Sequence, residues 1–168
     1  MSESTAVLVR RLESKELPIL ERSFPSPFHR GRLKIQTEED ADYLIAWSDQ
    51  NAVGHLLLRW QGAANEFLRQ RVTNVPYVEA VAVTEALRSR GIGRQLMTTA
   101  EEMIRGRQLP LVGLAVGVKN FDALAFCAHL GYQLSSLEEF DVSWSYVDHD
   151  GAANVEDERC IYLVKNLE

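Results

Sequence analysis

Short apolar runs bounded by polar turns dominate this chain, and a helical period of apolar positions is clearest over Gly91 to Arg105. There Ile92, Leu96, Ala100, Met103 and Ile104 share one stripe, and Gly106 ends the pattern. Before it, Ala6 to Leu12 reads as a first strand, and a helical stretch from Glu16 to Arg22 is broken by Pro25 and Pro27. Asp42 to Ser48 and Val53 to Trp60 are joined by Asp49-Gln50-Asn51-Ala52, whose turn chemistry predicts a β-hairpin. Gly62 to Asn74 predicts a loop with a helical turn through Phe67 and Leu68. Tyr77 to Val83 is the next strand, entered at Pro76.

Beyond the stripe, Pro110 to Val116 is apolar throughout, which suits a buried strand lying parallel to the one before the helix. Asn120 or Asp122 caps a helix running to Leu130, with Gly131 at its C′ position. Gln133 to Ser136, Phe140 to Val147 and Cys160 to Val164 complete the strands, with a polar loop from Asp148 to Glu158 between the last two. This order of elements predicts a mixed α/β sheet. No linker, repeat or low-complexity segment interrupts it, so residues 1–168 read as a single domain.

Composition supports a globular chain: 46% of its 168 residues are hydrophobic and 25% charged, enough for a core of its own. No apolar run approaches the roughly 20 residues that span a membrane, and Met1 to Thr5 lack the start of a secretory signal. Cys127 and Cys160 lie far apart without metal-ligand spacing and read as reduced thiols, which predicts a cytoplasmic setting. The four histidines are scattered, so no metal site is indicated.

Charge adds a polarity. The formal net charge of −6 argues against nucleic acid as a partner. Acidic residues gather at Glu38 to Asp42 and between Leu134 and Cys160, while Arg88, Arg90 and Arg94 surround Gly91 and Gly93. An anionic ligand at the arginines and a cationic one elsewhere fit this division, as do merely solvated loops.

The arginine-rich segment sits directly between a strand and the best helix. Glycines there let the backbone approach a phosphate, and a helix start offers free N–H donors. A dinucleotide fold is disfavoured because Leu96 stands where its third glycine belongs, and Gly-Lys-Ser/Thr of the phosphate-binding loop is absent. What remains is R-x-x-G-x-G, as Arg88-Ser89-Arg90-Gly91-Ile92-Gly93.

With this motif the chain resembles the GNAT superfamily of acetyl-CoA-dependent N-acetyltransferases, whose Q/R-x-x-G-x-G/A loop is matched by Arg88, Gly91 and Gly93. Asn120, Ala123, Phe126, Leu130, Gly131 and Tyr132 are similar to the family's second signature, and together the two cover Tyr77 to Tyr132. The resemblance implies a single-domain, mostly antiparallel sheet of about six to seven strands with a splayed parallel central pair, flanked by about four helices. It further implies that the backbone of Val81, Ala82 and Val83 pairs with the pantetheine arm of acetyl-CoA. Amides from Ser89, Arg90, Gly91, Ile92, Gly93 and Arg94 would hold the pyrophosphate. Asn120 would contact the arm, with Arg88 and Phe126 in the same cofactor site. Dimers are common in proteins of this resemblance.

Acetyl transfer needs a deprotonated amine and a protonated leaving thiolate. Glu79 stands mid-strand where several family members carry a proton-accepting carboxylate. Alternation places it on one face with Val81 and Val83 unless a bulge intervenes. Its other reading is a structural carboxylate paired with an arginine. The family's usual acid is a tyrosine, and Cys127 stands at that position. A thiol near the ordinary ~8.5 could protonate a thiolate, but Ala123, Phe126, Cys127 and Leu130 share an apolar face on which a small buried side chain is equally at home. Water or another residue then protonates the thiolate, with Tyr77, Tyr132 and Tyr146 as candidates. Trp144 is a candidate border of the acceptor site.

The expected activity is transfer from acetyl-CoA to a primary amine by direct attack in a ternary complex. The acceptor would be a cationic small molecule, aminoglycoside-like or polyamine-like, near Glu79 and the Trp144 to Asp150 segment. A protein N-terminus or lysine is the alternative acceptor. The departure at Cys127 raises a third reading, a catalytically silent acyl-CoA-binding sensor or interaction module.

Overall fold

A computed structural model describes residues 6–147 and 150–168. Among them the chain runs through β1 (Val7–Arg11), α1 (Leu17–Ser23), α2 (His29–Glu38), β2 (Ala41–Ser48), β3 (Asn51–Arg59) and α3 (Glu66–Arg71). It continues through β4 (Tyr77–Val83), α4 (Ile92–Gly106), β5 (Leu111–Gly117), α5 (Phe121–His129), β6 (Gln133–Leu134), β7 (Phe140–Val147) and β8 (Ala153–Asn166). The strands form one sheet in the order β1-β2-β3-β4-β5-β8-β6, and β7 pairs with β8. Every pairing is antiparallel except β4 with β5. Among the described residues, no helix is long and apolar enough to cross a membrane.

Helices cover both faces of the sheet. On one face the α4 stripe, with Ile92, Leu96, Ala100 and Ile104, packs on Leu56, Leu58, Val78 and Val112. Cys127 of α5 joins this cluster, as do the half-buried Ala123 and Phe126. On the other face α1 places Leu17 and Leu20 against Tyr43, Ile45 and Leu57. Further along that face α3 sets Leu68 against Phe140, Cys160 and Tyr162.

Two features of β4 position the site. First, β4 and β5 meet at Tyr77 opposite Gly113 and diverge beyond it. Backbone groups past that point lie apart from their neighbour strand and need partners of another kind. Second, Leu57 pairs with Glu79 while His55 pairs with Ala82, so Leu56 of β3 stands opposite two residues of β4, Ala80 and Val81. The extra residue makes a β-bulge. Ala80 stands there at φ 58°, and its carbonyl accepts a hydrogen bond from His55 Nδ1 at 2.6 Å. The bulge inverts the alternation. Val78 and Val83, five positions apart, both pack on the α4 face. Glu79 instead bonds Arg59, which shares the α1 face with Leu57 across β3. The face assignment that grouped Glu79 with Val81 and Val83 is therefore corrected.

Among the described residues, the eight strands and five α-helices exceed the six to seven and about four expected. Helix α2 escapes an apolar-period reading because its buried residues are polar, His29 and Gln36. Gln36 donates to the Leu12 carbonyl at 2.9 Å and accepts from the Tyr43 N–H at 2.6 Å, so this helix is seated by hydrogen bonds as much as by apolar contact. At the other end, the polar stretch expected as a loop up to Glu158 is strand from Ala153 onward. The start of that expected loop, Asp148 and His149, lies outside the described residues, as do Met1 to Thr5.

Candidate active site

The chain enters α4 through a turn that only certain backbones allow. Ser89 takes φ 66° and Gly91 φ 85°, the left-handed region where glycine carries no Cβ penalty. Gly91 is the N-cap of α4 and lacks a side chain to cap with, so the first amides of a 15-residue helix are left for another acceptor, with the positive end of the helix dipole behind them. Arg88, Arg90 and Arg94 are all exposed around them. Such a helix start, with arginines around it, suits a phosphate-bearing group.

A cleft of about 910 Å³ runs from this turn into the gap between β4 and β5. Its walls include the whole of Val78 to Val83, then Arg88, Ser89, Gly91 to Arg94, and Leu114 to Gly117. From α5 come Asn120, Phe126 and Cys127, and from the β7–β8 hairpin Trp144, Glu158 and Cys160. Glu79, Cys127 and the residues expected at the cofactor therefore line one cleft except Arg90, which stands in the same loop but is not part of the wall. Phe126 comes close enough to Gly93 that a Cβ there would sit 3.2 Å from its ring. Asn120 caps α5, its Oδ1 accepting from the Ala123 N–H at 3.2 Å.

The two faces of the sheet contribute different chemistry. Phe126 and Cys127 belong to the α4 side. Cys160 belongs to the α3 side, and alternation along β8 puts Glu158 on that side with it. The one cleft wall thus brings together the cationic, amide-rich start of α4 and, on the other face of the sheet, Glu79, Trp144 and Glu158.

Titratable groups here are shaped by burial. Cys127 is buried within the apolar cluster, which pushes its thiol up to about 11. Cys160 is likewise pushed up to about 11 by burial, with the charges of Glu158 and Asp141 adding to it. Glu79 is ion-paired with Arg59, and the second guanidinium contact of Arg59 is Glu39 at 3.7 Å. Of the tyrosines expected as substitute acids, Tyr77 and Tyr132 are not part of the cleft wall. Burial raises the Tyr77 phenol well above its ordinary range. Tyr132 is raised by burial and by Glu101, to which its hydroxyl donates at 3.0 Å. The side chain of Tyr146 lies outside the described residues.

The profile of the acetyltransferase (GNAT) family matches residues 9–132, most of the chain. The chain belongs to this family. Among curated proteins none matches it in sequence. Solved structures share its fold at low identity. The ribosomal-protein-S18-alanine N-acetyltransferase from Escherichia coli superposes with a TM-score of 0.65 at 17% identity, over 97% of this chain and 95% of that one. The IAA acetyltransferase from Bacillus cereus gives 0.62 at 17%, covering 96% and 99%. A GNAT acetyltransferase from Elizabethkingia anophelis with acetyl-CoA bound gives 0.60 at 13%, covering 95% and 97%.

Glu158 and Cys160 are the cleft residues of this GNAT chain that a sequence reading passed over, because the segment before Cys160 looked like loop. Glu156 to Arg159 are four consecutive charged residues, with no apolar–polar alternation to mark a strand, and strands are poor in Asp and Glu.

Proposed function

We propose that this GNAT chain transfers an acetyl group from acetyl-CoA to a primary amine by direct attack in a ternary complex, with a cationic small molecule as acceptor. The observation that carries this reading is a cleft whose wall holds both the Gly91 helix start and the carboxylates of Glu79 and Glu158. Acetyl-CoA supplies an activated acetyl thioester. The amides and arginines of Ser89 to Arg94 suit its pyrophosphate, and the separated edges of β4 and β5 suit its amide-bearing arm. The side chain of Asn120, whose Oδ1 caps α5, has its amide nitrogen left to face the arm. Opposite this, carboxylates near Glu79 and Trp144 attract a protonated amine and accept its proton.

Cys127 is assigned a packing role on the cofactor side of the gap. A thiol pushed up to about 11 holds its proton more tightly than an ordinary thiolate would, so the leaving sulfur takes its proton from the reacting amine. The test is release of free thiol from acetyl-CoA with spermidine, kanamycin, tyramine and an alanine-terminated peptide. Turnover with the polycations but not the peptide is expected. Turnover with the peptide alone would favour the protein N-terminus as acceptor, and acetyl-CoA binding without turnover on any amine would favour the silent module.

A further inference from the structure

Two carboxylates stand in the cleft wall, and their surroundings differ. Glu79 is engaged by Arg59, which compensates its charge. Glu158 has no cationic side chain bound to it among the described residues. Its neighbour Arg159 is held elsewhere, by Glu139 at 3.2 Å and Asp141 at 3.3 Å.

The seat of Glu158 is built by two other residues. A Cβ on Gly117 would lie 1.7 Å from Glu158 Oε1, so a side chain at the end of β5 would displace the carboxylate from this position. Trp144 Nε1 donates to Oε2 at 3.0 Å. That bond runs diagonally across the hairpin, since Trp144 itself faces Glu156. Trp144 is 46% exposed, leaving ring surface for a cation beside the carboxylate.

We propose that Glu158 is the carboxylate that receives the acceptor's ammonium group and takes its proton. The inference rests on the transferase reading above and adds the residue that reading leaves open. An uncompensated carboxylate attracts a cation more strongly than one already paired with a guanidinium. One N–H proton of the ammonium passes to a Glu158 oxygen and frees the nitrogen lone pair. That pair forms the C–N bond to the acetyl carbon as the C–S bond breaks, and sulfur leaves with the bonding electrons. The second proton lost by nitrogen goes to sulfur, and Glu158 returns its own to water.

The experiment compares wild type, Glu158→Gln, Glu158→Asp and Glu79→Gln with the best amine of the panel. Glu158→Gln is expected to lower kcat/KM for that amine by about 100-fold or more and to abolish the acidic limb of its pH profile. Calorimetric titration of the CoA-loaded protein with the same amine is expected to show binding weakened by about tenfold or more, with acetyl-CoA affinity unchanged. Glu158→Asp keeps the charge and should keep the limb at a lower rate, and loss of the limb in Glu79→Gln with its retention in Glu158→Gln would give the proton to Glu79 instead. Retention of rate and limb in Glu158→Gln overturns the assignment, as does loss of acetyl-CoA binding, which would place Glu158 in the fold or the cofactor site. If the wild type binds acetyl-CoA but acetylates no amine, the transferase reading itself falls and the role of Glu158 with it.

Discussion

Cys127 shows how burial decides what a side chain can contribute. It faces the cleft on one side and the α4 cluster on the other, and in that setting the thiol is pushed up to about 11. At neutral pH it is a small neutral hydrophobe with a weak donor. Cys127→Ala is therefore expected to leave kcat and its pH profile essentially unchanged, at a stability cost of about 1 kcal/mol. Steady-state kinetics from pH 6 to 9 together with a urea melt would check both parts. A loss of the basic limb, or a rate collapse in a variant that melts normally, would restore the thiol to an acid role. Glu79 illustrates the opposite limit: half-exposed in the cleft, it is claimed by Arg59, so a carboxylate in an active-site wall need not be the one that moves a proton.

At the scale of elements, the start of α4 concentrates what the cofactor site needs. Nothing lies within 4 Å of a Cβ placed on Gly91, so a larger residue there is opposed by backbone conformation and not by packing. At φ 85° that opposition is about 1–2 kcal/mol, which a domain of this size survives. Gly91→Glu is expected to keep the fold while abolishing acetyl-CoA binding, because its carboxylate would stand at the helix start where phosphate charge must sit. Isothermal titration with acetyl-CoA beside a circular dichroism melt reads both effects, and unchanged affinity would remove the phosphate-site assignment. This part of the molecule was legible in the sequence because glycine spacing, a β-branched strand and an apolar helical stripe are local signals. Helix α2 was not, since Gln36 and His29 bury hydrogen-bonding groups whose partners, Leu12, Tyr43 and Phe24, lie elsewhere in the chain. The bulge at Ala80 was not legible either. Its register depends on His55 across the sheet, and no spacing within β4 announces it.

At the scale of the whole molecule, one buried polar network ties α2 and the end of α1 to the bulge in β4. His29 Nε2 donates to the Phe24 carbonyl and its Nδ1 accepts from the Tyr43 hydroxyl at 2.7 Å. The Tyr43 hydroxyl in turn accepts from Arg32 at 3.1 Å. His55 packs edge-on to Phe24 and His29 and donates to Ala80. Both histidines are buried and held neutral. Burial lowers His29, and burial with the nearby Arg32 charge lowers His55 to about 3 from an ordinary 6.5. The unfolded chain therefore binds protons below pH 6.5 that the folded chain refuses. Stability is full above that pH and falls as pH drops toward the folded values, each histidine adding up to about 1.4 kcal/mol per pH unit. Glu16, lowered chiefly by its bond to Arg10 from an ordinary 4.5, adds its own loss only below that value. The window from pH 6.5 to 4.5 thus isolates the histidines. Urea unfolding at pH 7.5, 6.5, 5.5 and 4.5 is expected to show a level plateau at the top and a steepening fall beneath it. His55→Gln keeps an N–H for Ala80 but takes no proton, so its fall should be shallower by the His55 share. A flat stability curve down to pH 4.5 would mean that the network opens to water and that the bulge is not held by a neutral His55.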